Sequence, residues 1–253
     1  VAASDHLPVV ADYQLLVSTP GVRIAATSGG TNVVEGGLID TYSVVLDPVP
    51  LASVTVAITP DGQVDVGNGA GVAVMYSKRV AMEGNQFRDH RGPASYALLL
   101  KDITDGTIAR NEFADNTTGL YLEGASRLSL VGNQFRGNGW ALRLMANSVD
   151  NDFVGNVFIS NAFDVATNSR TTASRFRANF WDRYRGFDLD RDGHGDVPFR
   201  PVRLFSLVVE QNSPALILLR SVFVDLLDVA ERVLPILTPA GLSDDAPLMD
   251  RPR

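Results

Sequence analysis

One short phrase recurs along the middle of this chain: an asparagine, any residue, then an aromatic. It reads Asn85-Gln86-Phe87, Asn111-Glu112-Phe113, Asn133-Gln134-Phe135, Asn156-Val157-Phe158 and Asn179-Phe180-Trp181. Successive asparagines lie 26, 22, 23 and 23 positions apart, and three of the phrases add a second asparagine five residues on, at Asn116, Asn138 and Asn161. A period in the low twenties means stacked supersecondary units, none of which can bury its apolar face alone. The period is too short for paired-helix repeats, and the Leu-rich consensus of horseshoe repeats is missing.

Short apolar alternations precede each asparagine: Val72 and Val74, Ala97 and Leu99, Leu120 and Leu122, Leu142 and Leu144. Polar turns such as Gly137-Asn138-Gly139 follow it. Two or three short strands with their turns therefore make one coil, and a right-handed parallel β-helix is the predicted solution, its coils rising about 4.8 Å each. Equivalent residues then form columns. Asparagine carries both donors and acceptors, so a column of it can pass amide hydrogen bonds from coil to coil. The aromatic two residues later points the same way and stacks inside. Asn111, Asn133 and Asn156 are expected in one column, with Phe113, Phe135 and Phe158 beside it.

Composition changes near residue 70. Residues 1–70 hold one basic residue, Arg23, against seven acidic ones, and all 12 Phe lie beyond them. Such a shift predicts separate units. The expected class is all-β: a partial β-sandwich-like segment over 1–70, the β-helix over 71–200, and a capping helix with an extended tail over 201–253. In the first unit, Thr41 to Leu46 and Val54 to Thr59 read as strands, and Asp61-Gly62 as a turn. This stretch, from Thr31-Asn-Val-Val-Glu-Gly-Gly through Asp61-Gly62-Gln63, resembles half of a Calx-β repeat of bacterial surface proteins. Glu35 falls where that family often places a calcium-coordinating glutamate, but the later acidic ligands are missing and Glu35 reads as a turn residue. The edge of the segment is free to cap the first coil.

The net charge of −7 argues against nucleic acid as a partner. Cys is absent, which excludes disulfides and thiolate metal sites. No uncharged run is long enough for a membrane helix, and no basic-then-apolar signal opens the sequence, which is read as a mature start or a fragment.

Candidate sites are few. His90 sits in the column that is asparagine in the next three coils and reads first as a polar turn residue. Met75 and Met82 share its coil, and methionine with histidine would suit Cu(I); as core residues the two methionines need no metal. Asp102, Asp105, Asp115 and Glu123 are interleaved with Lys101 and Arg110, as on a solvated face, with no pair poised for proton transfer. The run Asp188-Leu-Asp190-Arg-Asp192-Gly193-His194-Gly195-Asp196 places carboxylates at positions 1, 3, 5 and 9 and glycine at 6 of a calcium loop, with the His194 carbonyl as a further ligand. Position 12 is Phe199, so the alternative is an acidic turn held by backbone bonds and Arg183, Arg185 or Arg191.

Ser213-Pro214 then signals a helix start, with the hydroxyl as cap, and Pro235 a stop. One row through Leu219, Phe223, Leu226 and Ala230 is expected to face the open end of the β-helix. A second through Leu218, Val222 and Val229 is expected to face a partner. The tail from Leu237 to Arg253 reads as extended or lid-like.

Three blocks carry a family resemblance: Gly71-Val-Ala-Val-Met-Tyr through Asn179-Phe-Trp-Asp-Arg-Tyr; Asp188-Leu-Asp-Arg-Asp-Gly-His-Gly-Asp-Val-Pro-Phe-Arg-Pro-Val; and Leu218-Leu-Arg-Ser through Asp245-Ala-Pro-Leu-Met. Over residues 71–253 the chain resembles the NosD family of nitrous-oxide-reductase maturation proteins. The resemblance implies a periplasmic accessory protein, not an enzyme. Such a protein would work with an ABC transporter permease and ATPase, and with nitrous oxide reductase or a copper chaperone, to supply a copper-sulfur centre. The family has further coils where this chain has the Calx-β-like piece. A carbohydrate-active or surface-adhesion β-helix is the alternative, and the C-terminal helix and tail are what such a protein has no need of.

Overall fold

The structure, a computed structural model, describes residues 22–26, 42–46, 54–55, 71–169, 173–219, 221–233 and 242–252. Glu35, Asp61-Gly62 and Pro235 lie outside them. Short strands wind through five complete coils of a parallel β-helix. The first coil is β4 (Val72–Met75), β5 (Lys78–Glu83) and β6 (Gln86–Arg88). The next is β7 (Leu98–Lys101), β8 (Thr104–Ala109) and β9 (Glu112–Ala114). Then come β10 (Thr118–Glu123), β11 (Ser126–Val131) and β12 (Gln134–Arg136). The fourth is β13 (Trp140–Leu144), β14 (Asp152–Val154) and β15 (Val157–Ile159), and the fifth β16 (Phe163–Ala166), β17 (Arg175–Arg177) and β18 (Phe180–Trp181). First strands, second strands and third strands pair into three separate parallel faces. Ahead of them, β1 (Val22–Ala26) pairs antiparallel with β2 (Tyr42–Leu46). β2 and β3 (Val54–Thr55) pair in parallel with β4 and β5, so the N-terminal strands continue two faces by a partial coil.

Register is set by what must be inside. On the first face Val72 pairs with Leu98, Leu98 with Leu120, Leu120 with Leu142, and Leu142 with Val165; all are buried. A slip of one residue would turn each leucine outward. On the third face the predicted aromatic column stands: the rings of Phe87, Phe113, Phe135 and Phe158 stack at 4.9, 4.8 and 4.9 Å, and Trp181 closes it at 4.2 Å. The spacing is that of the strands themselves.

The asparagine column is a ladder of buried bonds. Each Nδ2 donates to the next Oδ1, at 2.9 Å along Asn85, Asn111, Asn133, Asn156 and Asn179. Each Oδ1 also accepts the backbone N–H of the asparagine one coil back. Asn116, Asn138 and Asn161 form a second ladder, and the backbone N–H of His90 heads it by donating to Asn116 Oδ1 at 3.0 Å. The turns leave backbone groups that no strand can satisfy, and these amides satisfy them. The corners themselves need left-handed backbone. Gly124 supplies one at φ 64°, and a Cβ there would lie 2.3 Å from Asp102 Oδ1.

The last coil is closed by two separate segments. Val202 pairs with Val165 on the first face, Asp244 with Phe176 on the second, and Leu248 with Phe180 on the third. Asp244 takes the place of the next asparagine: its Oδ2 accepts from Asn179 N, Asn179 Nδ2 and Trp181 Nε1 at 3.0, 2.9 and 3.0 Å. The rung itself comes from the tail and residues 199–202, and Leu207 of α1 (Leu204–Gln211) packs against the core beside it. The single helix expected over 214–234 is two pieces, a 3-10 helix (Ser213–Leu218) and α2 (Val222–Val233), and a further helix, α1, precedes them. The cap of the 3-10 helix is Asn212, with no side-chain capping bond. Among the described residues, no helix is long and apolar enough to cross a membrane.

Asp244→Ala strands three buried donors, each worth about 1–3 kcal/mol when left unmade. Urea unfolding should show a loss of roughly 3 kcal/mol or more, and Asp244→Asn, which keeps the acceptor oxygen, a clearly smaller one. Equal losses would mean that the acceptor is not what holds the end.

Candidate functional site

The helical segment is inserted between the two closing pieces and packs on the outside of the β-helix. Phe205 and Val209 of α1 and Val224 of α2 are buried in a cluster with Phe163, flanked by Trp140, Leu219 and Leu227. Arg143, on the outer side of β13, makes a two-pronged ion pair with Glu210 at 3.0 and 2.8 Å and covers the Tyr121 ring at 5.1 Å. The Leu204 N–H donates to Glu231, tying the start of α1 to α2. α1 has no N-terminal side-chain cap, so nothing local in the sequence announced it. The expected rows also shift. The 3-10 piece turns every 3.0 residues rather than every 3.6, which puts α2 out of phase with one continuous helix. Phe223 and Leu226, expected inside, are exposed, and Val224 faces in instead.

What remains outside is an apolar row. Val222 is 73% exposed, Leu226 62%, Val229 55% and Phe223 49%, with Ile217 and Leu218 beside them on the 3-10 helix. A helix pinned through one face and apolar on the other has the form of a docking element.

The acidic loop brings together three of the predicted ligands. Asp188, Asp190 and Asp192 each offer an oxygen within 4.8 Å of the others. Asp196 is not among them: its Oδ2 accepts the Leu189 N–H at 2.6 Å. Asp192 Oδ1 accepts the His194 N–H at 2.7 Å. Burial acts to raise the Asp188 carboxyl, but the N–H groups of Gly193 and Arg191 outweigh it and hold the group below its ordinary value. For Asp190 the Asp192 N–H pulls down, while the Asp192 carboxylate and burial prevail and raise it. The loop is sewn to the closing segment: Met249 N–H donates to Gly193 O at 3.0 Å, and Gly195 N–H to Pro247 O at 2.8 Å.

Met75, Met82 and His90 come from three different faces of the first coil: Met82 is buried inside the second, Met75 lies on the outer side of the first, and His90 follows the third.

A buried carboxylate also escaped the sequence reading. Asp164 of β16 is 2% exposed and accepts from Asn161 Nδ2 at 3.1 Å. Burial pushes its pKa up from 3.8 to about 6, against the opposing pull of Arg183 and Asn161. The strand pattern around it, Phe163 to Ala166, is buried throughout, so alternation gave no warning.

A parallel β-helix of five coils with a helical flank defines the class of the described residues as a β-solenoid. The family described as periplasmic copper-binding protein (NosD) matches residues 57–186, and the chain belongs to this family. A probable ABC transporter binding protein NosD of Pseudomonas aeruginosa is 30% identical over 193 residues, covering 70% of this chain and 44% of that protein. Its counterpart in Stutzerimonas stutzeri is 26% identical over 198 residues, covering 71% and 45%. The chain thus spans under half the length of these curated relatives. The family match begins at residue 57, ahead of residue 71.

Because the Asp164 pKa is raised on folding, its neutral form favours the folded state. That stability is present below about pH 3.8 and is lost as pH rises through about 6. Asp164→Asn keeps a neutral acceptor. It is expected to stabilise the protein by roughly 1–3 kcal/mol at neutral pH and to flatten the pH dependence in that window. Chemical denaturation at a series of pH values measures both.

Proposed function

We propose that this chain is a non-enzymatic periplasmic accessory protein that docks onto an ABC transporter through α2 and the preceding 3-10 helix. The observation that carries the reading is the exposed apolar row of Val222, Phe223, Leu226 and Val229 on a helix whose other face is fixed to the β-helix. The names of the relatives support the transporter as partner. The β-helix acts as a rigid rod, since every coil is tied to the next by strand pairing and by amide ladders. It sets the position of the docking helix relative to whatever meets the rest of the rod. The process it serves is maturation of the copper-sulfur centre of nitrous oxide reductase, with the reductase or a copper chaperone as the second partner. The family description supports copper as the cargo. The role proposed for this chain is positional.

The acidic loop is assigned a bracing role on the same terms. Three convergent carboxylates provide a start toward the six to eight oxygens that Ca²⁺ takes, with backbone carbonyls and water to complete the set. Held there, the ion would fasten the loop and, through it, the closing segment.

Two measurements follow. Val222→Asp and Val229→Asp substitute residues more than half exposed, so the isolated protein should keep its melting temperature. Binding to the transporter permease and ATPase reconstituted in nanodiscs should weaken by about tenfold or more, as at an interface anchor. Undiminished binding by both variants would end the docking reading. For the loop, thermal melts in excess Ca²⁺ should exceed those in chelator, since a ligand at a hundredfold excess over its Kd stabilises by about 2.7 kcal/mol. Superimposable melts would make it an acidic turn only.

A further inference from the structure

At the closed end of the β-helix, between residues 183–187, residues 197–203 and α2, lies a cleft of about 820 Å³. Four guanidinium groups line it, from Arg183, Arg185, Arg200 and Arg203, against the carboxylates of Asp164 and Glu231. In a chain of net charge −7 this is a local reversal of sign. Arg183 donates to the carbonyl oxygens of Asn161 and Ala162, and Arg185 to those of Asp182 and Tyr184. Carbonyl partners aim a guanidinium without neutralising it. Among the described residues no carboxylate forms an ion pair with either of these two arginines. Arg183 spends part of its charge on the buried Asp164 carboxylate, and a planar fork held in place by carbonyls is suited to a further carboxylate or phosphate.

The cleft also has an apolar lining. Phe187 is 54% exposed, and Val197 and Pro198 lie beside it. The Tyr184 hydroxyl donates to Val197 O at 2.7 Å, which locks the two segments that frame the cleft. That clamp depends on Gly186, where a Cβ would fall 1.9 Å from the same hydroxyl. A volume of this size is within the range of small-molecule sites, roughly 300–1,000 Å³, and far exceeds a bare inorganic ion.

We propose that this cleft binds an organic anion, with an oxyanion head held by Arg183 and Arg185 and an apolar body lying along Phe187 and Pro198. The site is separate from the docking row on α2 and does not depend on the transporter reading.

Calorimetric titration of the full chain tests it with three probes: phenyl phosphate, benzoate and inorganic phosphate. At least one of the two aromatic anions should bind at one site per chain, about tenfold or more tighter than inorganic phosphate. Which of the two is tighter identifies the head group as phosphate or carboxylate. Arg183→Ala with Arg185→Ala should weaken the aromatic probe by about tenfold or more, and Arg183→Lys, which keeps charge but loses the fork, should fall between. Phe187→Ala should bring the aromatic probe down toward inorganic phosphate. Arg127→Ala, on another face, should change nothing. All three arginines and Phe187 are exposed, so circular dichroism is expected to report intact folding in every variant. No heat from any probe, equal affinity for inorganic phosphate, or undiminished binding in the double arginine variant overturns the proposal.

Discussion

Everything in this molecule depends on one amide meeting another across the distance between paired strands. Strands pair about 4.8 Å apart, and an asparagine side chain spans that gap with one donor and one acceptor. Asn85 through Asn179 use it to carry each turn onto the next. The same oxygen also takes the backbone N–H that the turn leaves free, so each substitution would strand several buried groups at once. The aromatic column follows from this rather than competing with it. Once the asparagines fix the axial step, the rings two residues on must lie parallel at 4.2 to 4.9 Å.

Columns of this kind are legible because they repeat. Five copies of one phrase reveal both the period and the face, and the strand alternation fixes which side is in. The closing rung is illegible for the converse reason: it occurs once. Nothing near Asp244 marks it as the acceptor for Asn179, 65 residues earlier. Only the accounting does, since a ladder of amides must end on an acceptor that is not itself waiting for one. His90 shows the same logic at the other end, where its backbone N–H joins the column.

The candidate surfaces were partly legible. The residues Leu218, Val222 and Val229, picked from helical spacing, are exposed, but Phe223 and Leu226 share their side because a 3-10 turn reset the phase. The acidic loop was found from its spacing, yet spacing could not say that Asp196 would spend its carboxylate on the Leu189 N–H. The arginine cleft gave no signal at all. Arg183, Arg185, Arg200 and Arg203 are scattered through two segments and meet only where the chain turns back to close the rod.

The helices occupy an unusual position, between Val202 and Asp244, the two halves of one closing rung. They are therefore an excursion from the lid, leaving it after Val202 and returning to it by Asp244. The order of the chain has a consequence too. With Val202 in place, two of the three faces still end in open strands until Asp244 and Leu248 reach them. Such edges can accept a foreign strand, so the helical excursion lengthens the loop that has to close before the rod is sealed.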